Sequence, residues 1–76
     1  MNLDKLKEYD EFLEFKRKVE IVNENLDMAD YYHRILSTLF SSSKKSVLKE
    51  NKNAIISNAN NLIDVICKVK DFAENL

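Results

Sequence analysis

Residues 23–30 read NENLDMAD, and whether this stretch bends or stays straight decides the fold. Four of its residues, Asn23, Asn25, Asp27 and Asp30, are weak helix formers, because short polar side chains compete for backbone hydrogen bonds. Asp27 also has the chemistry of an N-cap, its carboxylate being able to accept from the first amides of a new helix. Against a break stands the phase of the apolar residues. Phe12, Phe15, Val19, Val22, Leu26, Ala29, His33, Leu36 and Phe40 alternate spacings of three and four through the stretch, an unbroken heptad seam. Two architectures follow. The first is an all-α bundle of three helices over residues 3–23, 27–43 and 46–75. The second is a long two-helix hairpin that dimerises into a four-helix bundle. The three-helix bundle is the expectation adopted here, with the hairpin as its alternative.

On the N-terminal side, Leu3, Leu6, Tyr9, Phe12 and Leu13 begin the same apolar face. Asn2 is a candidate N-cap, and Asp4 puts an acid in the first turn, where the helix dipole favours one. Glu14 and Lys18 form an attractive i,i+4 pair, whereas Glu20 and Glu24 repel. On the C-terminal side, residues 39–53 read LFSSSKKSVLKENKN and hold four of the six serines. Small hydroxylated residues favour helix ends. Lys44 and Lys45 suit the C-terminus of the preceding helix, and Ser46 reads as the next N-cap. This is a turn.

Beyond it, 13 of the 23 residues from Ala54 to Leu76 are apolar. Ile55, Ala59, Leu62, Ile66, Val69, Ala73 and Leu76 make one seam, widened by Asn58, Val65 and Phe72 and extended by Ile56, Ile63 and Cys67. Only a thin polar stripe is left: Ser57, Asn61, Asp64, Lys68, Asp71 and Asn75. Such a helix is enclosed on more than one side.

Composition agrees with an all-α chain. There is no Gly and no Pro among the 76 residues, and 33% are charged. A β-rich fold of this size needs turn residues with positive or fixed φ. The length gives one domain, 1–76, with a modest core, and the lone Cys67 excludes an internal disulfide. Net charge is −1, so nothing global draws the chain to nucleic acid or membrane. Charges are nonetheless segregated: residues 1–30 carry −4, residues 31–52 carry +4 and residues 53–76 carry −1. The acidic and basic regions are expected to attract each other, within the fold or across a dimer. Charge within the first five residues argues against a secretory signal, and apolar runs reach only three residues, far short of a membrane span. A free cysteine fits a reducing, cytoplasmic setting.

Length comparison yields the functional expectation. A last helix of about 28 residues runs ~42 Å, while one over residues 28–42 runs only ~22 Å. In either architecture, apolar surface is left over, and such surface on a small protein marks an interface. The expected function is a non-enzymatic protein–protein interaction module, a regulator or inhibitor of phage or plasmid type, that forms a homodimer or binds a protein partner. The candidate interface comprises Phe12, Phe15, Tyr31, Tyr32, Leu36 and Phe40 with Leu62, Ile63, Ile66, Val69 and Phe72. A skew of ten Lys to two Arg, with nine Asn, fits an AT-rich genome.

Other chemistry is weakly represented. His33 and Cys67 are single residues of their kinds, better read as a seam histidine and a core thiol than as a dyad. Asp30 and His33 have the i,i+3 spacing of carboxylate-bridged di-iron bundles, without the further glutamates those sites need. No metal, cofactor or small-molecule substrate is therefore expected, and the missing glycines exclude every Gly-dependent phosphate loop. Lys45, Lys49 and Lys52 share one helical face, with Lys44 and Arg34 near, a cluster able to contact phosphates or an acidic partner. A nucleic-acid-binding regulator is thus the alternative function, though the segment lacks interleaved aromatics. The last helix has no basic polar face of the kind that binds membranes.

Overall fold

In the computed structural model, which describes residues 3–76, the chain has three helices: α1 (Leu3–Leu39), α2 (Lys45–Glu50) and α3 (Lys52–Glu74). The fold is all-α. The break expected near residue 25 is absent, and residues 3–23 and 27–39 belong to one helix of 37 residues, ~55 Å long. The seam outweighs the local signals. Asp27 and Asp30 stay on the exposed side, and Asp30 supports the helix through an ion pair to Arg34 at 2.9 Å. Asn25 sits half-buried among the seam residues.

The turn is made without any positive φ among the described residues, consistent with a chain that has no glycine. Thr38 Oγ1 donates to the Arg34 carbonyl at 3.0 Å, and the Ser41 amide closes on Thr38 O at 3.1 Å, ending α1. Ser42 Oγ accepts from the Lys44 amide at 3.2 Å. The expected N-cap is corrected here: Lys44, extended at φ −80° and ψ 124°, precedes α2 with no side-chain cap, and Ser46 lies inside the helix. Lys44 and Lys45 consequently stand at the start of a helix, where the dipole disfavours them, and not at the end of α1. α2 and α3 meet at Asn51, whose carbonyl accepts from Ile55 at 2.9 Å, so residues 45–74 form one rod with a slight hitch.

α3 returns antiparallel along α1, and Phe15 meets Phe72 with ring centroids 6.0 Å apart. That contact sets the register. Along the rod of α2 and α3 the main covered row is Leu48, Asn51, Ile55, Asn58, Leu62, Val65, Val69 and Phe72, a regular alternation of three and four, with Val47 and Ala59 half-buried beside it. Ala29 and Val65 are the only described residues classed as buried, and Ala29 is small enough to let the helices approach. Asn58 satisfies its own amide within the helix by donating to Ala54 O at 2.8 Å. The molecule is a rod of 69 × 17 × 14 Å. It is far too extended for a closed three-helix bundle within one chain.

Register leaves α1 partly without a neighbour. Residues 3–14 run beyond the Phe15–Phe72 contact, an arm of ~18 Å on which Leu3, Leu6, Tyr9, Phe12 and Leu13 are all exposed.

Candidate functional site

The expected interface residues separate into two groups. Tyr32, Leu36, Leu62, Val69 and Phe72 are half-buried along the α1–α3 contact and belong to the hairpin's own seam. Phe12, Phe15, Tyr31, Phe40, Ile63 and Ile66 are exposed, Ile63 to 58%. On α1, the covered row beside Ala29 and Leu36 is Asn25, Tyr32 and Leu39, while Leu26, His33 and Phe40 face out. The heptad pattern identifies the central row of the seam. It does not say on which flank the neighbouring helix will lie.

On α3 the uncovered residues form a seam of their own. Lys52, Ile56, Ile63, Ile66, Lys70 and Ala73, all exposed, recur with half-buried Ala59 at four and three, displaced around the helix from the covered row. Phe12, Val19, Leu26, His33 and Phe40 recur every seven residues on the matching flank of α1. Both helices are right-handed and run antiparallel, so flanks displaced in the same rotational sense lie on the same broad side of the hairpin. This side is apolar but for Lys52, Lys70 and His33. The opposite flank of α3 carries Ser57, Asn61, Asp64, Lys68, Asp71 and Asn75, all exposed, as the thin polar stripe predicts. Tyr31 lies on the back of α1, its ring edge-to-face with that of Tyr32 at a centroid distance of 5.5 Å.

Near the turn, the apolar side opens into a shallow hollow of about 360 Å³ lined by Leu48, Ile55 and Ile56 and rimmed by Lys45, Lys49 and Lys52. Lys44 stands beside it in sequence, and all four lysines are exposed. Among the described residues no ion pair engages them; Arg34 is held by Asp30 instead. The positive charge is therefore concentrated and unneutralised. Its counterpart lies elsewhere. Residues 3–14 carry five acids and two bases, and the arm they form is at the far end of the rod. The two regions are ~50 Å apart, several Debye lengths at physiological salt, so attraction within the fold is not how these charges are used.

Cys67, expected as a core thiol, is exposed. His33 is exposed too, and the register separates it from Cys67 by ~20 Å along the rod. Asp30 engages Arg34, and no group of three or more His, Cys, Asp or Glu placed to hold a metal ion occurs among the described residues. Among the described residues, no helix is long and apolar enough to cross a membrane. The arm with Leu3, Leu6 and Tyr9 and the flank residues Leu26 and Ile56 join the candidate surface only once the register is known. No protein-family model, curated protein or solved structure matches this chain.

Proposed function

We propose that the chain is a non-enzymatic interaction module, a regulator or inhibitor that works by presenting the open apolar side of its hairpin to another protein, a second copy of itself included. One observation carries this reading: fifteen large apolar side chains are exposed among the described residues, while only Ala29 and Val65 are buried. Two helices cover one row of each other and no more. At ~25 cal/mol per Å² of apolar surface removed from water, the uncovered flank is a large driving force for association before ordering costs. Charge sets orientation and encounter rate more than strength.

Sedimentation equilibrium at tens of micromolar, followed by capture from the host lysate, tests the reading. Self-association or a captured protein that Ile63→Asp abolishes is the expected result. A monomer that captures nothing overturns it.

The unneutralised lysines favour a second reading, a nucleic-acid-binding regulator that neutralises phosphates through Lys44, Lys45, Lys49 and Lys52. Mobility on duplex DNA across a salt series decides it. Binding that weakens steeply with salt and vanishes on charge reversal of these lysines supports it; no shift at low salt rejects it.

A further inference from the structure

We infer that the occupant of the open side is a second copy of this chain, stacked antiparallel, so that the acidic arm of each copy lies along the lysine-rimmed turn of the other. This rests on the interaction-module reading and names its partner and geometry. The arm, residues 3–14, has net charge −3, and the turn region, residues 40–52, has net charge +3. They sit at opposite ends of a rod 69 Å long. Neither can reach its counterpart within one chain. An antiparallel copy brings both pairs together at once.

The spacing of the open residues fits the same arrangement. A twofold axis lying in the interface, perpendicular to the helices, sets α1 over α1 and α3 over α3. If it passes by Leu26, then Phe12 falls opposite Phe40 of the second copy, Glu11 and Glu14 come level with its Lys45 and Lys49, and residues 3–8 extend past its turn. The Phe15–Phe72 register places Asn61 of α3 at the level of Leu26, so the same axis pairs Ile63 with Ala59 and Ile66 with Ile56. The apolar centre of each exposed row is therefore self-complementary about a common axis, which an isologous interface requires.

Other arrangements of two copies are worse. Stacked in parallel, the arms lie side by side and so do the turns, like charge against like at each end. Joined end to end through their arms, two regions of −3 meet. Area is sufficient: a face 69 Å by 17 Å offers on the order of 1,000 Å² per copy, against ~800 Å² per partner in a standard interface.

Spin labelling reads the orientation directly. In a Cys67→Ser background, a label on Ser43→Cys marks the turn, and both positions are exposed. The antiparallel stack is expected to give an inter-label distance of roughly 50 Å, twice the ~25 Å from the axis at Leu26 to the turn. A parallel stack gives less than about 25 Å, since packed helix axes are ~10 Å apart. A distance below 25 Å, an end-to-end separation near 90 Å, or a monomer overturns the proposal. In the monomer case, a host protein captured through Ile63 leaves the broader reading standing, so the two fail separately.

Charge exchange tests the contact itself. Lys44, Lys45 and Lys49→Glu in one chain, and Asp10, Glu11 and Glu14→Lys in another, are each expected to weaken self-association at least about tenfold at low salt. Mixing the two restores it, because each arm then faces an opposite turn. Failure of the mixture to recover association, with both chains still helical by circular dichroism, sinks the paired-end geometry.

Discussion

Ile63 and Val65 are two residues apart on α3, yet Val65 is 4% exposed and Ile63 58%. Both are β-branched, and both belong to an apolar row with helical spacing. One row is used by the fold and the other is left over. The difference teaches that amphipathicity on α3 is double: a seam that makes the hairpin, and a second seam that the hairpin cannot reach. The two rows make different demands on substitution.

The sharpest way to break the comparison is to put a carboxylate in each row. Val65→Asp strips the buried side chain and forces a charge between α1 and α3; we expect a loss of about 3–4 kcal/mol and collapse of helicity by circular dichroism. Ile63→Asp places the same carboxylate in water. It is expected to alter the solution mass far more than the urea midpoint, because most of the Ile63 side chain already faces water. Equal losses of stability in the two would erase the distinction between covered and open rows.

A smaller effect sharpens where the covered row ends. Phe15 and Phe72, tilted at 36° with centroids 6.0 Å apart, close the contact at the base of the arm. Phe72→Ala is expected to cost about 1.5–3 kcal/mol, below the value for a fully buried ring, because Phe72 is half-buried and Phe15 exposed. A double-mutant cycle with Phe15→Ala should return a coupling of about 0.5–1.5 kcal/mol. Zero coupling in urea titrations would mean the two rings do not set the register, and the arm would then be longer or shorter than residues 3–14.

How much of this is legible in sequence differs from element to element, for physical reasons. The absence of Gly and Pro speaks for helices, because no described residue needs the φ they supply. The polar stripe of α3 is equally plain, since periodicity alone defines it. Residues 23–30 mislead because Asp27 caps a helix only if the chain turns there. Their propensity deficit is a few tenths of a kcal/mol per residue, less than burying a continuous seam contributes. The flank covered on α1, and the arm, depend on where α3 lies and how far it reaches. Those are properties of the pair, and no single helix encodes them.

The smallest expected effect concerns the turn, where Lys44 precedes α2 without a side-chain cap and Ser46 sits one position inside the helix. An acid at position 44 can accept from the free amides of the first turn, and it replaces a positive charge that the dipole disfavours. Lys44→Asp should therefore stabilise the hairpin by ~1 kcal/mol, raising Tm by about 4–8 °C for a domain of this size. The comparison belongs in ~0.5 M salt, where the Debye length is only ~4 Å and changes in long-range charge attraction are screened. Ser46→Ala should move Tm by much less, since the Ser46 hydroxyl holds no cap and alanine is the better helix former. If Ser46→Ala instead lowers Tm by several degrees while Lys44→Asp leaves it unmoved, the helix begins at Ser46, and the lysines Lys44 and Lys45 revert to the chain that closes α1.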